Sequence, residues 1–341
     1  MNATPPSVES VMTSQWFIGL DVGRTKIAGG LVDTTTGTIL VRRKIPTIAR
    51  WGGGAVLRDV VGLTDSLTSK ARARGGTVQG IGIGVAELVD PNGHIRSAHS
   101  IDWTSISPEA SLAHIAPVVV ESDVRAAALG EARFGAGQPY SIFTYVTVGT
   151  GISSCLVQDG RPFAGSRGNA LVLASAPISS TCVHCGAGQE QVLESVASGP
   201  ALVARYNSRV NRTIVDGHEV MAAVAQGDEV AKDVVRSAGA ALGNSVGWLV
   251  NVLDPEAVVV GGGLGLAGGL FWDSFVASTR AHVWSELTRE LPIVTAGLGA
   301  DSGIIGAALA ACGNPGATQR QTLAACVTST KRGEEHAGHN S

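Results

Sequence analysis

Hydrophobic and polar positions fall along this chain in two successive rounds of short strands followed by helix. The runs WFIGLDVG, KIAGGLVD and TILVRRKI, from residue 16 to 45, are short, rich in β-branched residues and joined by tight connections, so they predict three strands of a meander. Residues 54–74 place apolar side chains at helical spacing, and IGIGVAEL reads as a buried strand after them. A second round then opens. VVVESD predicts a strand ending in carboxylates, VRAAALGEARFG an alanine-rich helix, and SIFTYVTVGTG with ISSCLVQDG a strand hairpin. Helical periodicity continues over 190–206, 217–226 and 229–251, then comes the strand AVVVGGG and a last helix at IIGAALAAC. The repetition predicts two related α/β lobes with a cleft between them: a small lobe over 16–120 completed by the helix at 302–312, and a larger one over 121–301. Residues 1–15 and the tail from Gly313 are polar and aperiodic and are expected to be disordered.

Length and composition narrow the picture. At 341 residues the chain has room for two lobes, since single cores stop growing near ~250–300 residues. A hydrophobic content of 44%, a charged content of 16% and a net charge of -3 give no basic footprint, so neither nucleic acid nor an anionic membrane is expected as a partner. No apolar run reaches the ~20 residues that span a bilayer, and the first residues lack the pattern of a signal peptide. Five cysteines do not make a disulfide framework, which points to a reducing, cytoplasmic setting. The 45 glycines gather beside β-branched runs, where a backbone turns or lets a ligand approach.

Three of those glycine clusters fit phosphate. In GLDVGRTK a carboxylate, Asp21, closes a strand, Gly23 allows the turn, and Thr25 and Lys26 follow; such a turn cradles phosphate while Asp21 holds a metal through water. The same pattern also describes a plain hairpin with Lys26 in solvent. TVGTG, with Gly149, Thr150 and Gly151, is a second turn of this kind, and GGGLG, with Gly261, Gly262 and Gly263, a third.

Taken in order, DVGRTK, ESDVRAAALGE, VTVGTGI, GSRGNA, VLESVASG, LVNVLDPEAVVVGGGL and SGIIGAA resemble the ROK family of sugar kinases from residue 17 to about 312. The resemblance implies an actin-like, ribonuclease H-like fold whose lobes close over substrate, an ATP- and Mg2+-dependent phosphotransferase, and a homodimer. Some ROK relatives are repressors with an N-terminal helix-turn-helix, for which the stretch before the first strand here is too short. By resemblance Asp123 is the base that accepts the proton of the substrate hydroxyl, although an Asp at that point also suits the N-cap of the helix beginning at Val124.

The acceptor side departs from the family. The Asn before the catalytic Asp is Ser122, and the Asn ahead of Trp103 is Ser100, with Asp102 beside it. Counted forward from Gly165 and Gly168, past Asn169, Val172 takes the position of a sugar-gripping Glu and Ser175 that of a zinc-linked His. GVAELVD places Glu87 where the family has glycine, to meet a hydroxyl or an amine, while Glu194 keeps a family counterpart on the sugar. Of four family zinc ligands only Cys185 remains, because Ala187 and Val192 fill two positions. Cys182, His184 and Cys185 leave two readings open: a rearranged zinc site of poor tetrahedral geometry, or a loop of reduced thiols. An apolar wall at Val172 favours a sugar-like polyol with a CH2OH group, the sharpest expectation being a seven-carbon cyclitol of the valiolone type, since ROK-like cyclitol kinases act in aminocyclitol biosynthesis. The alternatives are a hexose or aminosugar kinase and a sugar-binding or regulatory protein without catalysis.

Overall fold

The computed structural model describes residues 15–48, 51–181, 188–211 and 213–313. The first sheet contains β1 (Trp16–Val22), β2 (Lys26–Asp33), β3 (Thr38–Pro46), β4 (Gly80–Val85) and β5 (Val118–Ser122) in the order β3-β2-β1-β4-β5. The second contains β6 (Ile142–Val148), β7 (Ile152–Gln158), β8 (Arg161–Pro162), β11 (Ala257–Gly261) and β12 (Ile293–Thr295) in the order β12-β11-β6-β7-β8. In both, an antiparallel meander of three strands lies beside two strands parallel to the first. The two lobes therefore share one strand topology, as the repeated pattern predicts.

Helix α1 (Gly53–Ala73) joins β3 to β4 and buries Val56, Val60, Leu63 and Leu67 against the first sheet. In the second lobe α4 (Glu194–Ala197), α5 (Gly199–Asn207), α6 (Gly217–Ala225) and α7 (Glu229–Leu253) make the corresponding connection, and α8 (Gly269–His282) with α9 (Glu286–Arg289) leads to β12. The small helix α2 (Pro108–Leu112) precedes β5. Each sheet has its own apolar core.

Two helices cross between the lobes. α3 (Asp123–Phe134) leaves β5 of the first sheet and packs on β7 and β8 of the second, whereas α10 (Ser302–Cys312) leaves the second sheet and packs on β1 and β4 of the first. Glycine permits this crossing. A side chain at Gly306 would enter the carbonyl of Ala126 on α3, and one at Gly82 the carbonyl of Ala307 on α10. Strand β4 reads GIGIGV and is buried throughout: its glycine face lies against α10, and Ile81, Ile83 and Val85 join the apolar core of the first lobe.

The pattern misleads in one segment. Residues 190–206 do not form one helix: β10 (Gly188–Val192) pairs antiparallel with β9 (Pro177–Thr181), and α4 and α5 follow as separate pieces. Ser198 is extended and its hydroxyl caps the Ala201 N–H, Pro200 brings no N–H to continue a helix, and the Gly199 N–H is drawn 2.8 Å to the Gly149 carbonyl. Helix α8 is not announced by the pattern either. It lies on α7 along Gly239, Gly243 and Gly247, so contact with a glycine stripe places it. The terminal segments expected to be disordered fall almost wholly outside the described residues.

Candidate active site

Parallel strands that start in register also end together, and the candidate residues collect at those ends. Asp21 lies opposite Gly84 of β4, and Val85 lies opposite Ser122 of β5, so Asp21, Glu87 and Asp123 leave one edge of the first sheet within a residue or two of each other. In the second sheet Thr147 of β6 pairs with Gly261 of β11, bringing the second and third glycine turns side by side. Ligand sites in α/β sheets lie outside such carboxyl ends.

The first two glycine turns are the same element used twice, the hairpin between the first two strands of each lobe. Gly23 N–H donates to the Lys26 carbonyl at 3.0 Å, and Gly149 N–H to the Gly151 carbonyl at 2.9 Å. Thr25 and Thr150 at the two tips are exposed. The third turn folds over the second: Leu264 N–H donates to the Val148 carbonyl at 3.0 Å, and Gly262, at φ 81°, has no room for a side chain against the Val148 backbone. Gly263 at the turn's outer side is open. Backbone amides with little side-chain cover suit the phosphates of a nucleotide, and Asp21 suits an Mg2+ held through water. Burial raises the Asp21 pKa, against the pull of the Lys26 charge.

Asp123 is the first residue of α3, with Ser122 in the capping position. Its Oδ1 accepts only the adjacent Val124 N–H, at 2.7 Å, and among the described residues Oδ2 has no partner. The side chain thus does not cap the helix as an N-cap Asp would. Burial, then the charge of Asp21, push its pKa up to about 7; the Val124 N–H opposes this, Glu87 adds to it and Arg125 opposes it. Such a carboxyl is matched to taking a proton near neutral pH.

The acceptor-side residues are distributed as follows. Ser122 is buried under Asp123. Glu87 is 6% exposed, and both its oxygens are occupied by the loop that carries Ser100: Oε1 accepts from Ser100 and Ile101 N–H, Oε2 from His99 N–H and the Ser97 hydroxyl. Asp102 is exposed and its Oδ1 accepts the Thr104 N–H. Val172 is 45% exposed, just ahead of a 3-10 turn over Leu173–Ser175 in which the Ser175 hydroxyl donates to the Val172 carbonyl. Asn169 is exposed next to Gly168, whose backbone lies flush on Val89. Glu194 accepts the Ile152 N–H at 2.8 Å, one residue beyond the second glycine turn. Cys182, His184 and Cys185 lie outside the described residues, and among the described residues no group of three His, Cys, Asp or Glu side chains stands ready for a metal.

Two residues absent from the sequence reading organise this region. Arg125 is buried and donates to the Glu121 carboxylate, to the Val89 carbonyl of the first lobe at 2.7 Å and to the Gly168 carbonyl of the second at 3.0 Å. Glu131 is fully buried and accepts from the N–H groups of Ala136, Gly297 and Leu298 and from the Ser302 hydroxyl, pinning α3 to the start of α10. They lie two and eight residues beyond Asp123, and a charged residue on the apolar side of an alanine-rich helix is the signal that marks them.

Comparison with known proteins bears on the family and the fold. A glucokinase of Streptomyces coelicolor is 30% identical over 311 residues, covering 85% of this chain and 96% of the relative. The bifunctional enzyme NanE/NanK of Brucella melitensis is 33% identical over 297 residues, covering 85% of this chain and 53% of that protein. The crystal structure of a ROK family glucokinase from Streptomyces griseus, in complex with glucose and AMPPNP, superposes with a TM-score of 0.75 at 31% identity, covering 87% of this chain and 99% of that one. Residues 17–313 match the ROK family, and the chain belongs to it.

Proposed function

We propose that this protein transfers a phosphoryl group from ATP to the primary hydroxyl of a sugar-like polyol, with Asp123 as the base. It is a phosphotransferase with an alcohol acceptor, like the kinases it resembles. The observation that carries the reading is Asp123 itself: a carboxylate with one oxygen unpartnered among the described residues and a pKa near 7, beside Asp21 and at the same strand ends as a glycine turn. Nucleotide and Mg2+, when bound, supply the phosphoryl group and neutralise its charge; the turns at Gly23–Lys26, Gly149–Gly151 and Gly261–Gly263 and the Asp21 carboxylate are the groups to hold them. The chain's own work is then to hold the acceptor hydroxyl against Asp123 Oδ2, take its proton there and keep water out.

For the acceptor we propose a seven-carbon cyclitol of the valiolone type. The Val172 side chain, aligned where the family grips the sugar with Glu, offers no acceptor atom, so a hexose leaves a hydroxyl unpaired there while a carbocycle loses less. A glucokinase-like hexose or aminosugar kinase is the second reading, favoured by the 31% identity to a glucose-bound enzyme. A coupled assay of ADP release with ATP and each of glucose, mannose, N-acetylhexosamines and cyclitols separates them. The expected result is turnover with a cyclitol; robust glucose turnover overturns that choice, and no turnover with any polyol overturns the kinase reading.

A further inference from the structure

We propose that Glu87 is a positioning residue for the acceptor: its carboxylate is the anchor around which the 97–101 loop folds, and it acts on specificity through that loop instead of gripping substrate. The inference rests on the kinase reading above.

A carboxylate offers about four lone-pair sites, two on each oxygen. All four of Glu87's are taken by one loop. Oε1 receives the N–H groups of Ser100 at 2.6 Å and Ile101 at 2.8 Å, and Oε2 receives the His99 N–H at 2.9 Å and the Ser97 hydroxyl. Three consecutive amides aimed at one anion form a nest, a shape the backbone adopts around negative charge. The Ser97 oxygen in turn accepts the Leu88 N–H at 2.9 Å, which closes the ring back to the residue after Glu87. With an apolar residue or glycine at 87 these part-buried donors, and the buried Ile101 N–H among them, would lose their common acceptor, so this loop shape depends on the carboxylate.

The loop's far end is clamped separately. Gly53 of α1 lies so close to the Asp102 carbonyl that it has no room for a side chain, and Trp103 is buried in the first lobe's core. The first clamp holds the backbone of Ser100, half-buried, and the second that of Asp102, exposed. Glu87 lies just beyond β4 at the edge that carries Asp123, and its charge is felt there. A carboxylate with no free acceptor site does not bind a hydroxyl without releasing an amide. It instead fixes the height and angle at which Ser100 and Asp102 meet the acceptor, while the nucleotide turns are built from other segments.

The test compares Glu87→Gln and Ser97→Ala with the wild-type chain by steady-state kinetics on the best acceptor and by hydrogen exchange over residues 97–103. The side-chain amide introduced by Glu87→Gln would set a donor against donors, so acceptor KM should rise about tenfold or more, with ATP KM changed by less than about twofold. Exchange of the 99–101 amides should accelerate about tenfold, and Ser97→Ala should move both readouts the same way by less. If Glu87→Gln proves too unstable to purify, Ser97→Ala carries the test alone. A rise in acceptor KM with unchanged exchange would mean that Glu87 touches substrate directly, and would overturn the inference. So would unchanged KM and exchange in a chain whose wild type turns over. Absence of ADP release by the wild type with every polyol marks failure of the kinase reading instead.

Discussion

The two lobes have the same strand order and reach the site with the same elements, yet they end differently. In the first lobe the strand parallel to β1 runs out into Glu87, whose carboxylate gathers a loop of side-chain-bearing residues around itself. In the second the equivalent strand, β11, runs out into Gly261, Gly262 and Gly263, and the bare backbone folds over the neighbouring hairpin turn. The hairpins differ in the same sense: at matched register Asp21 precedes the first turn and Thr147 the second. Beside its own glycine turn, the first lobe thus presents carboxylates and shaped side chains, which suit an alcohol and a metal, whereas the second presents amides, which suit phosphate. Duplicated topology gives two similar edges, and residue choice at the edges divides the labour.

The sharpest way to break this comparison is Asp123→Asn. If the first lobe supplies the base, kcat should fall by about 10²–10⁴ with ATP KM little changed, as measured by steady-state kinetics. A loss shared with nucleotide affinity would show that the division is false. The same variant should be more stable than the wild type at pH 8 in urea titrations. A carboxyl whose folded pKa is raised to about 7 holds its proton in the fold, while the unfolded chain ionises near the ordinary carboxylate value, so its contribution falls as pH rises between the two. Asp90 works oppositely. Although burial alone would raise it, the amides of His94 and Asn92 and the Arg96 guanidinium hold its pKa well below the usual range, so its contribution is lost on acidification.

Glu131→Ala tests the joint between the lobes. Removing a buried carboxylate that satisfies four donors should cost about 3 kcal/mol or more, read from chemical denaturation. A small loss would mean that α3 and α10 are held by their glycine contact alone. The pH profile sharpens the assignment: a base must be deprotonated, so kcat should drop about tenfold per unit below a midpoint near pH 7 and level off above it. The smallest expected effect is on the acceptor. Val172→Glu should improve glucose kcat/KM relative to cyclitol by about tenfold, the scale of one regained hydrogen bond to a charged group, and no change would remove Val172 from the specificity argument.

Much of this was legible in the sequence. The meander, the helix after it and their repetition rest on apolar periodicity, and β1, β2, β3, α1, α3, α7 and α10 lie close to where the pattern puts them. The glycine turns were visible as glycine clusters at strand ends, and Asp123 was singled out by resemblance to the family; the structure puts them at the strand ends, as the pattern has them. The segment 190–206 was not, because its apolar spacing suits a helix while Gly199 is held by Gly149, fifty residues away. Nor could the pattern give the partners of Glu87, whose position was visible but whose four bonds were not.

The sequence by itself determined which residue types stand at the strand ends and hence the family, the two-lobed fold and the chemistry on offer. The pattern already assigned the last helix to the first lobe; only the tertiary structure decided that α3 packs on the second sheet, that Arg125 joins Val89 to Gly168 while Glu131 ties α3 to the start of α10, and that Glu87 commits its charge to a loop. The reason is physical: periodicity records which face of an element is buried, a local property, whereas the partner of a buried polar group is chosen by whatever distant backbone the packed fold brings within about 3 Å of it.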